Sequence, residues 1–573
     1  MIFPEDYFED EVREGFYVTG MMKRLWAAQL QILKDIDELC HKYNIKYYCD
    51  SGTLLGAIRH GGYIPWDDDL DISLMRDDYN KLLDHVHELP ENYTLLSWRT
   101  REDWIHAYSR IVNSTRICLD KDFLEKYHGF PYSAGIDIFV IDYMYEDADK
   151  EEERRQRAKL LMDTAETVNL RGKVDDELSG CINDIESMLD LKIDFNKSVV
   201  KQLYHYAEEA LMEVNEKDAS QVCFMAWWIE SHSYVWNKRF SNQITHVPFE
   251  CTTIPIPVAY DEILKAQYGD YMKVKRDGGM HEYPCYAPQE RILIKNLGRN
   301  IWACQWNKDR LTLRKQIEEE IELHNKQLKD NIEKIEALIK SNPVLYGGFQ
   351  EQLDSLKAGL RESLSDKDSD KEEVVFLTLG PKQWNYFTHF WDIERSKSTT
   401  EVFVIPIPYY ETSINTEILR THFNTEGFDI PVTSLKDYDI SKRHPKRIYI
   451  QYPFDNINPV MRVHNVFYSD NLLKYTDELI YVPMYDIKYY HLHDNKSAYT
   501  LNYLVKTPAV LNADKIFLPS QSLKEVYIEI LVDFSRGETD NSYWDKKIIV
   551  DDYIKNETPD IHTNNTFGSD SHD

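Results

Sequence analysis

The chain has 573 residues, more than one ordinary hydrophobic core organises, so two or three domains are expected. With 98 acidic against 67 basic side chains its formal charge is -31, and a surface that repels polyphosphate argues against broad nucleic-acid binding while leaving room for a local basic pocket. The eight cysteines are scattered without a C-x-x-C pair, which gives no support to a zinc or dithiol site and predicts mostly reduced core thiols.

Met1-Ile2-Phe3-Pro4-Glu5-Asp6 is acidic and lacks the basic-then-apolar order of a secretory signal. No apolar run approaches the roughly 18 residues that crossing a bilayer requires. These features predict a cytoplasmic protein, with peripheral attachment at the inner face of the cell membrane left open.

Leu25, Ile32, Ile36 and Leu39 fall at helical spacing and predict an amphipathic helix over residues 21–43. Ile45 to Cys49 reads as a strand, Gly52 breaks it, Thr53 to Arg59 suits a short helix, and Gly61-Gly62 ends that helix. The acidic segment Trp66-Asp67-Asp68-Asp69-Leu70-Asp71 follows. On an extended strand, Asp69 and Asp71 project from one face because side chains at i and i+2 share a side of the pleat. Residues 135–142 alternate acidic and apolar, which predicts a strand with Asp137 on its polar face and Ile136 and Ile138 on the buried one.

Residues 151–235 are helix-rich and read as a bundle or lid on the first sheet. The stretch 247–270 reads as a strand followed by a helix at Tyr260 to Tyr268, and the first domain, residues 1–305, closes beyond it. A helical connector and linker is expected at 306–373, with Ile317, Ile321, Leu328, Ile335 and Ile339 as the stripe of a long helix or helical hairpin. The second domain, residues 374–555, carries β-rich runs at 374–380, 402–407, 447–452, 478–482 and 515–518 with helix-compatible segments between them, the alternation of a Rossmann-like parallel sheet. It has no G-x-G-x-x-G, so a dinucleotide site is not supported. Residues 556–573 read as a disordered tail. The fold class is therefore α/β with α+β features: a mixed sheet with helices, a long helical connector and a second, parallel α/β domain.

Phosphoryl transfer asks for metal ions, donors aimed at the phosphate oxygens and a positioned nucleophile. Asp69, Asp71 and Asp137 are the candidate catalytic and metal-ligating residues, three hard oxygen donors suited to Mg²⁺, with Mn²⁺ as an alternative. Clustered carboxylates raise one another's pKa values, a conflict that a bound cation removes. Gly52 and Thr53 open a helix directly after a strand and form a candidate phosphate cradle. Arg59 and Arg110 are candidate phosphate clamps, and His281 a candidate for orienting a phosphate or an acceptor hydroxyl. Asp67 and Asp68 read as solvated or turn-capping side chains. Trp66 reads as a packing residue that could also wall a base or choline pocket.

Tyr48-Cys49-Asp50-Ser51-Gly52-Thr53-Leu54-Leu55-Gly56-Ala57-Ile58-Arg59 followed by Ile64-Pro65-Trp66-Asp67-Asp68-Asp69-Leu70-Asp71 resembles the signature of the LicD family, which includes the fukutin-type proteins. The resemblance continues through residues 110–115, 135–142 and 268–272 to His281 and covers roughly residues 20–290. It implies a nucleotidyltransferase-like fold and a phosphotransferase that moves phosphocholine from CDP-choline, or a polyol phosphate from another CDP-alcohol, onto a cell-surface glycan such as a lipopolysaccharide or teichoic acid, releasing CMP. The family's metal-binding aspartates carry over to Asp69, Asp71 and Asp137. Arg110 stands where the family often has lysine, which keeps the charge and changes the donor geometry. The proton of the attacking hydroxyl would go to Asp137 or Asp68.

The second half resembles the N-terminal half of CDP-glycerol glycerophosphotransferases through residues 452–458 and 473–483, half of a two-domain glycosyltransferase-like fold, and implies an acceptor-recognition domain. Two other readings compete. One is a glycosyltransferase using Asp69-Leu70-Asp71 with a nucleotide sugar, and the other is a non-catalytic polymer-binding scaffold. The sequence does not specify the oligomeric state.

Overall fold

The computed structural model describes residues 1–275, 282–298, 304–364, 371–487 and 494–553. They fall into two compact units, the first Met1–Gly298 with Leu492–Lys496, the second Arg299–His491 with Ser497–Asp573. The first long segment thus ends at Gly298, where the sequence placed the domain's close near residue 305, and the helical connector groups with the second unit. His281 and the tail from residue 554 lie outside the described residues.

The first helix runs Gly20–Tyr43. Thr19 caps it by accepting the Met22 N–H at 3.2 Å, and Asn44 ends it in a left-handed conformation at φ 52°. Leu25, Ile32, Ile36 and Leu39 are all buried, as the spacing predicts, but so are Lys23, Arg24, Gln29 and Gln31. Its polar residues are buried because they have partners: Lys23 pairs with Glu11 at 2.7 Å, and the Gln29 amide donates to the Asp68 carbonyl at 2.8 Å.

A seven-stranded mixed sheet stands beside this helix. Its main path runs Tyr48–Cys49, Asp71–Met75, Gly135–Tyr143, Ser109–Val112 and Thr94–Leu96, while Gln221–Phe224 joins the far end of Gly135–Tyr143 and pairs with Val235–Asn237. Asp71–Met75 and Gly135–Tyr143 run parallel; the other described neighbours in this sheet are antiparallel. All of Ile136 to Tyr143 is buried, so the expected polar face of that strand is covered as well.

Helices Ala148–Arg171, Asp176–Leu189 and Val199–Leu211 bury Leu161, Ala165, Ile182, Leu203 and Ala207 against Cys223, Met225 and Trp228. That layer is the bundle expected from residues 151–235. It is tied to the sheet by Arg76, which grips both oxygens of Asp142 at 2.7 Å and one of Glu208 at 2.9 Å.

In the second unit, Leu313–Ser341 and Gln350–Leu364 form a helical hairpin in which Ile317, Ile332 and Leu353 are buried, whereas Ile321 is exposed. The sheet that follows is parallel and six-stranded, in the order Thr400–Pro406, Glu372–Thr378, Arg447–Ile450, Glu478–Tyr481, Lys515–Leu518 and Ile548–Val550. Numbered by sequence, the order is second, first, third and onward, a doubly wound arrangement. A separate antiparallel sheet of Ile418–His422, Tyr409–Thr412 and Met461–Val463 accompanies it. Among the described residues no helix is long and apolar enough to cross a membrane. All eight cysteines are free; Cys40, Cys49, Cys223 and Cys304 are buried, while Cys181 and Cys251 are exposed.

Candidate active site

The helix Ser51–His60 begins directly after the strand Tyr48–Cys49, capped by Asp50, whose carboxylate accepts the Ser51 N–H at 2.8 Å. The same carboxylate accepts from Ser73 Oγ at 2.7 Å and Gln267 Nε2 at 2.9 Å, so one buried group holds the helix start, the sheet and the helix Tyr260–Tyr268 together. Burial pushes the Asp50 pKa up and these hydrogen bonds oppose the shift. The first-turn N–H groups of Gly52 and Thr53 have no acceptors within their own helix. Thr53 Oγ1 accepts the Asp71 N–H at 2.8 Å, which binds the helix start to the acidic strand.

Asp71 and Asp137 are register partners on parallel neighbouring strands, and Arg110 is the register partner of Asp137 on its other side. Three side chains therefore stand in one row across three strands, each about 4.8 Å from the next. Asp69 precedes the strand, which begins at Asp71; Asp69 is half-exposed, while Leu70 and Asp71 are both buried. The Leu70 carbonyl accepts the Asp137 N–H at 3.0 Å, so pairing extends back toward Asp69. Burial raises the Asp71 pKa well above the carboxylate range, and the charges of Asp69, Asp137, Asp67 and Asp50 raise it further.

The two carboxylates read as turn caps are differently placed. Asp67, Asp68 and Asp69 each offer an oxygen within 4.8 Å of the others. Asp68 is wholly buried, not solvated, and accepts the Cys285 N–H at 2.7 Å. Asp67 lies against Gly52, where a Cβ would meet its Oδ2 at 2.7 Å and Asp71 Oδ2 at 3.7 Å; the glycine is what lets a helix start approach these carboxylates. The acidic loop is anchored from beneath, its Asp67 carbonyl receiving Trp26 Nε1 at 3.0 Å and its Asp68 carbonyl receiving Gln29 Nε2.

Arg110 directs its fork at Asp137, with Nη2 to Oδ2 at 2.7 Å and Nε to Oδ1. Burial alone would weaken its charge, but the pair with Asp137 outweighs that and holds the guanidinium firmly protonated. Arg59 turns elsewhere: its Nη1 donates to the Tyr271 carbonyl at 3.0 Å and its Nε to His60 Nε2 at 2.8 Å. Of the candidate clamps, the structure brings Arg110 to the carboxylate row and gives Arg59 to the loop after the helix Tyr260–Tyr268. Trp66 is 5% exposed and packs edge-on against Phe16 and His60, a core contact.

Two tyrosines given no role in the sequence reading feel the charge of the row. Tyr108 stands beside Asp137, Asp69 and Asp71, and burial together with Asp137 raises its hydroxyl pKa. Tyr268 is raised by burial and by Asp71. Tyr108 carries no motif and reaches the row through strand register, whereas Tyr268 opens the stretch 268–272 through which the sequence resemblance runs.

The carboxylates whose oxygens come within 4.8 Å of one another are Asp67, Asp68 and Asp69, a set that includes Asp69 of the expected ligands and not Asp71 or Asp137; such oxygen donors fit a hard divalent cation, and the like-charge crowding at Asp71 is the kind that such an ion relieves. A mixed sheet whose parallel pair carries Asp71 and Asp137 in register beside a helix start can place an anion next to a cation. Residues 44–156 match the LicD/FKTN/FKRP nucleotidyltransferase domain. The lipopolysaccharide cholinephosphotransferase LicD of Haemophilus influenzae is 28% identical over 249 residues, 43% of this chain and 89% of that protein. An uncharacterized protein of Rickettsia prowazekii is 62% identical over 112 residues and one of Rickettsia typhi 37% over 117, the matches covering 37% and 35% of those proteins. Residues 44–156 thus match a LicD-type nucleotidyltransferase domain, and the N-terminal region as a whole is similar to a cholinephosphotransferase of that type.

Proposed function

We propose that the protein is a Mg²⁺-dependent phosphotransferase that moves phosphocholine, or a polyol phosphate, from a CDP-activated donor to a hydroxyl of a cell-surface glycan such as a lipopolysaccharide, releasing CMP. The observation that carries this reading is the in-register row of Asp71, Asp137 and Arg110, with Asp69 at its head, inside a LicD-type domain. Asp69, Asp71 and Asp137 would hold the ion, which supplies Lewis-acid polarisation of the donor phosphate when bound.

The chain's own groups supply the rest. The Gly52 and Thr53 N–H groups and the helix dipole favour an anion at the helix start. Arg110 brings a fixed positive charge to the row, poised for charge developing on the departing CMP. Asp68 is buried and accepts the Cys285 N–H, and Asp137 accepts the Arg110 fork through both oxygens, so each of the two candidate bases is already engaged and taking the acceptor's proton requires one of these contacts to open. The second unit, with its doubly wound sheet, would serve as the acceptor-recognition domain.

The test is CMP release from CDP-choline with Mg²⁺ by the wild type and an Asp71→Asn variant. Loss of one such stabilising group lowers turnover by on the order of 10² or more. Near-normal turnover in the variant rejects this site. Release of a nucleoside diphosphate from a nucleotide sugar makes the protein a glycosyltransferase instead, and failure to bind either Mg²⁺ or CDP-alcohols leaves a scaffold.

A further inference from the structure

The helical hairpin of the second unit, Leu313–Ser341 and Gln350–Leu364, ends in an exposed apolar tip. At its base Arg314 donates to the Thr476 carbonyl at 2.6 Å and pairs with Asp514, which fixes the first arm to the loops that lead into the strands Glu478–Tyr481 and Lys515–Leu518. Beyond Ile317 the buried residues of that arm are Asn325 and Ile332, so most of its length meets solvent. The arms hold each other, with Leu353 buried and Lys357 paired to Glu336 at 2.5 Å. At 1.5 Å of rise per residue, Asn342 lies about 40 Å along the helix from Arg314.

The turn itself is built. Asn342 caps Pro343–Tyr346 by accepting the Leu345 N–H at 3.1 Å, and Gly347–Phe349 leads on into the second arm. Val344 is 98% exposed, Leu345 66% and Phe349 46%, with Leu338 at 45% on the turn before. The Tyr346 ring stands 6.4 Å from that of Phe349. Residues 337–350 contain Lys340 and no acid, in a chain with 98 acids among 573 residues. Contiguous apolar side chains left in water mark an interaction site.

The size of the tip decides its occupant. A stable protein interface takes about 800 Å² and about 20–30 residues from each side, and the segment 343–349 falls far short of that. The arm behind it is charged, with Glu318, Glu319, Glu320, Lys326 and Lys329 exposed. A bilayer surface asks for less: an apolar wedge about 5–10 Å deep, aromatic rings at the level of the headgroups and no buried charge. Val344 and Leu345 supply the wedge, Tyr346 and Phe349 the rings, and Lys340 is long enough to keep its ammonium in water.

We propose that this tip inserts into the surface of a lipid bilayer and holds the protein at a membrane without a spanning segment. The insertion is apolar, since anionic lipid repels a chain of charge -31 and the tip offers a single lysine. The inference does not depend on the phosphotransfer reading, and its test uses neither donor nor Mg²⁺.

The experiment is co-sedimentation of the full chain, in chelator, with vesicles of phosphatidylcholine and with vesicles that also contain phosphatidylglycerol. The wild type is expected to bind the neutral vesicles at least as well as the anionic ones, and to keep that binding when salt rises from about 0.01 to 0.15 M. Val344→Asp combined with Leu345→Asp should weaken binding about tenfold or more, because both carboxylates would have to leave water. Val344→Ile combined with Leu345→Met, which keep the wedge apolar, should retain it. Leu419→Asp, at a leucine 54% exposed on the strand Ile418–His422, should leave it unchanged. A wild type that stays in the supernatant overturns the proposal, and so does a double-aspartate variant that sediments like the wild type or an equal loss with Leu419→Asp. Binding confined to the anionic vesicles and abolished by salt overturns it in favour of a basic contact. Light scattering that shows a wild-type dimer and a monomeric double-aspartate variant, with no vesicle binding by either, overturns it in favour of a contact between copies. The lipid and salt comparisons of the wild type stand even where a variant does not fold.

Discussion

At the scale of single residues, Asp71 and Asp455 are both raised by burial in different surroundings. Asp71 sits among four other carboxylates, and its raised pKa means that the ion-free protein prefers it protonated. A carboxyl whose folded pKa is raised stabilises the fold at low pH, and that contribution is lost as pH rises through the raised value. The thermal midpoint of the ion-free protein is therefore expected to fall with rising pH. Mg²⁺ should restore more of it at about pH 8 than at about pH 5, because only the ionised cluster binds the ion. Melting curves with chelator and with Mg²⁺ at both pH values check this, and equal gains at both would count against Asp71 in the ion site. In the second unit, Asp455 is pushed up to about 7 by burial, opposed by the Ser469 N–H and hydroxyl that it accepts. Its charged neighbours are one acid, Asp470, which raises it further, and Arg310, which lowers it. Its share of stability is complete below the ordinary carboxylate value and disappears as pH passes about 7. Asp455→Asn should then flatten the pH dependence of urea denaturation between about pH 4 and 7. A variant with the wild-type slope would show that another group is responsible.

Among the elements, those with local signals were legible and those defined by pairing were not. The spacing of Leu25, Ile32, Ile36 and Leu39 and the glycines around residues 52–62 marked the first two long helices of the site, and the alternation in residues 135–142 marked the central strand. The acidic motif Asp69-Leu70-Asp71 was equally plain. That Asp71 lies opposite Asp137, and Arg110 opposite Asp137 on the other side, depends on register between strands far apart in sequence, which no local pattern encodes. Gln221–Phe224 and Ile548–Val550 are too short to show a period, so they went unread; so did the antiparallel sheet around Tyr409–Thr412. The Arg76, Asp142 and Glu208 network is of the same kind, joining a helix start, the central strand and the helix Val199–Leu211. Removing the guanidinium leaves the buried Asp142 without its cation, while Glu208 keeps Arg99 at 2.9 Å, so Arg76→Ala is expected to destabilise the protein by about 3–5 kcal/mol. Urea denaturation measures the loss; a cost under about 1 kcal/mol would mean that the carboxylates find other partners or water.

On the scale of the whole molecule, the charge of -31 bears on how an anionic donor arrives. Arg110 is the cation brought to the row, and it is already paired with Asp137, so the site adds little positive field of its own. A nucleotide diphosphate donor therefore approaches a protein of its own sign, and the encounter is slowed by repulsion that acts over the screening length. That length is about 30 Å at 0.01 M salt and about 8 Å at 0.15 M. At saturating Mg²⁺, kcat/KM for a CDP-alcohol is expected to rise between these two ionic strengths, by contrast with a basic nucleotide-binding protein, where salt lowers it. The gain should appear in KM and leave kcat unchanged, because the repulsion governs arrival and not the bound state. Steady-state kinetics at fixed free Mg²⁺ across that range makes the measurement. A kcat/KM that falls with salt would show that a local positive field, not the global charge, governs capture of the donor.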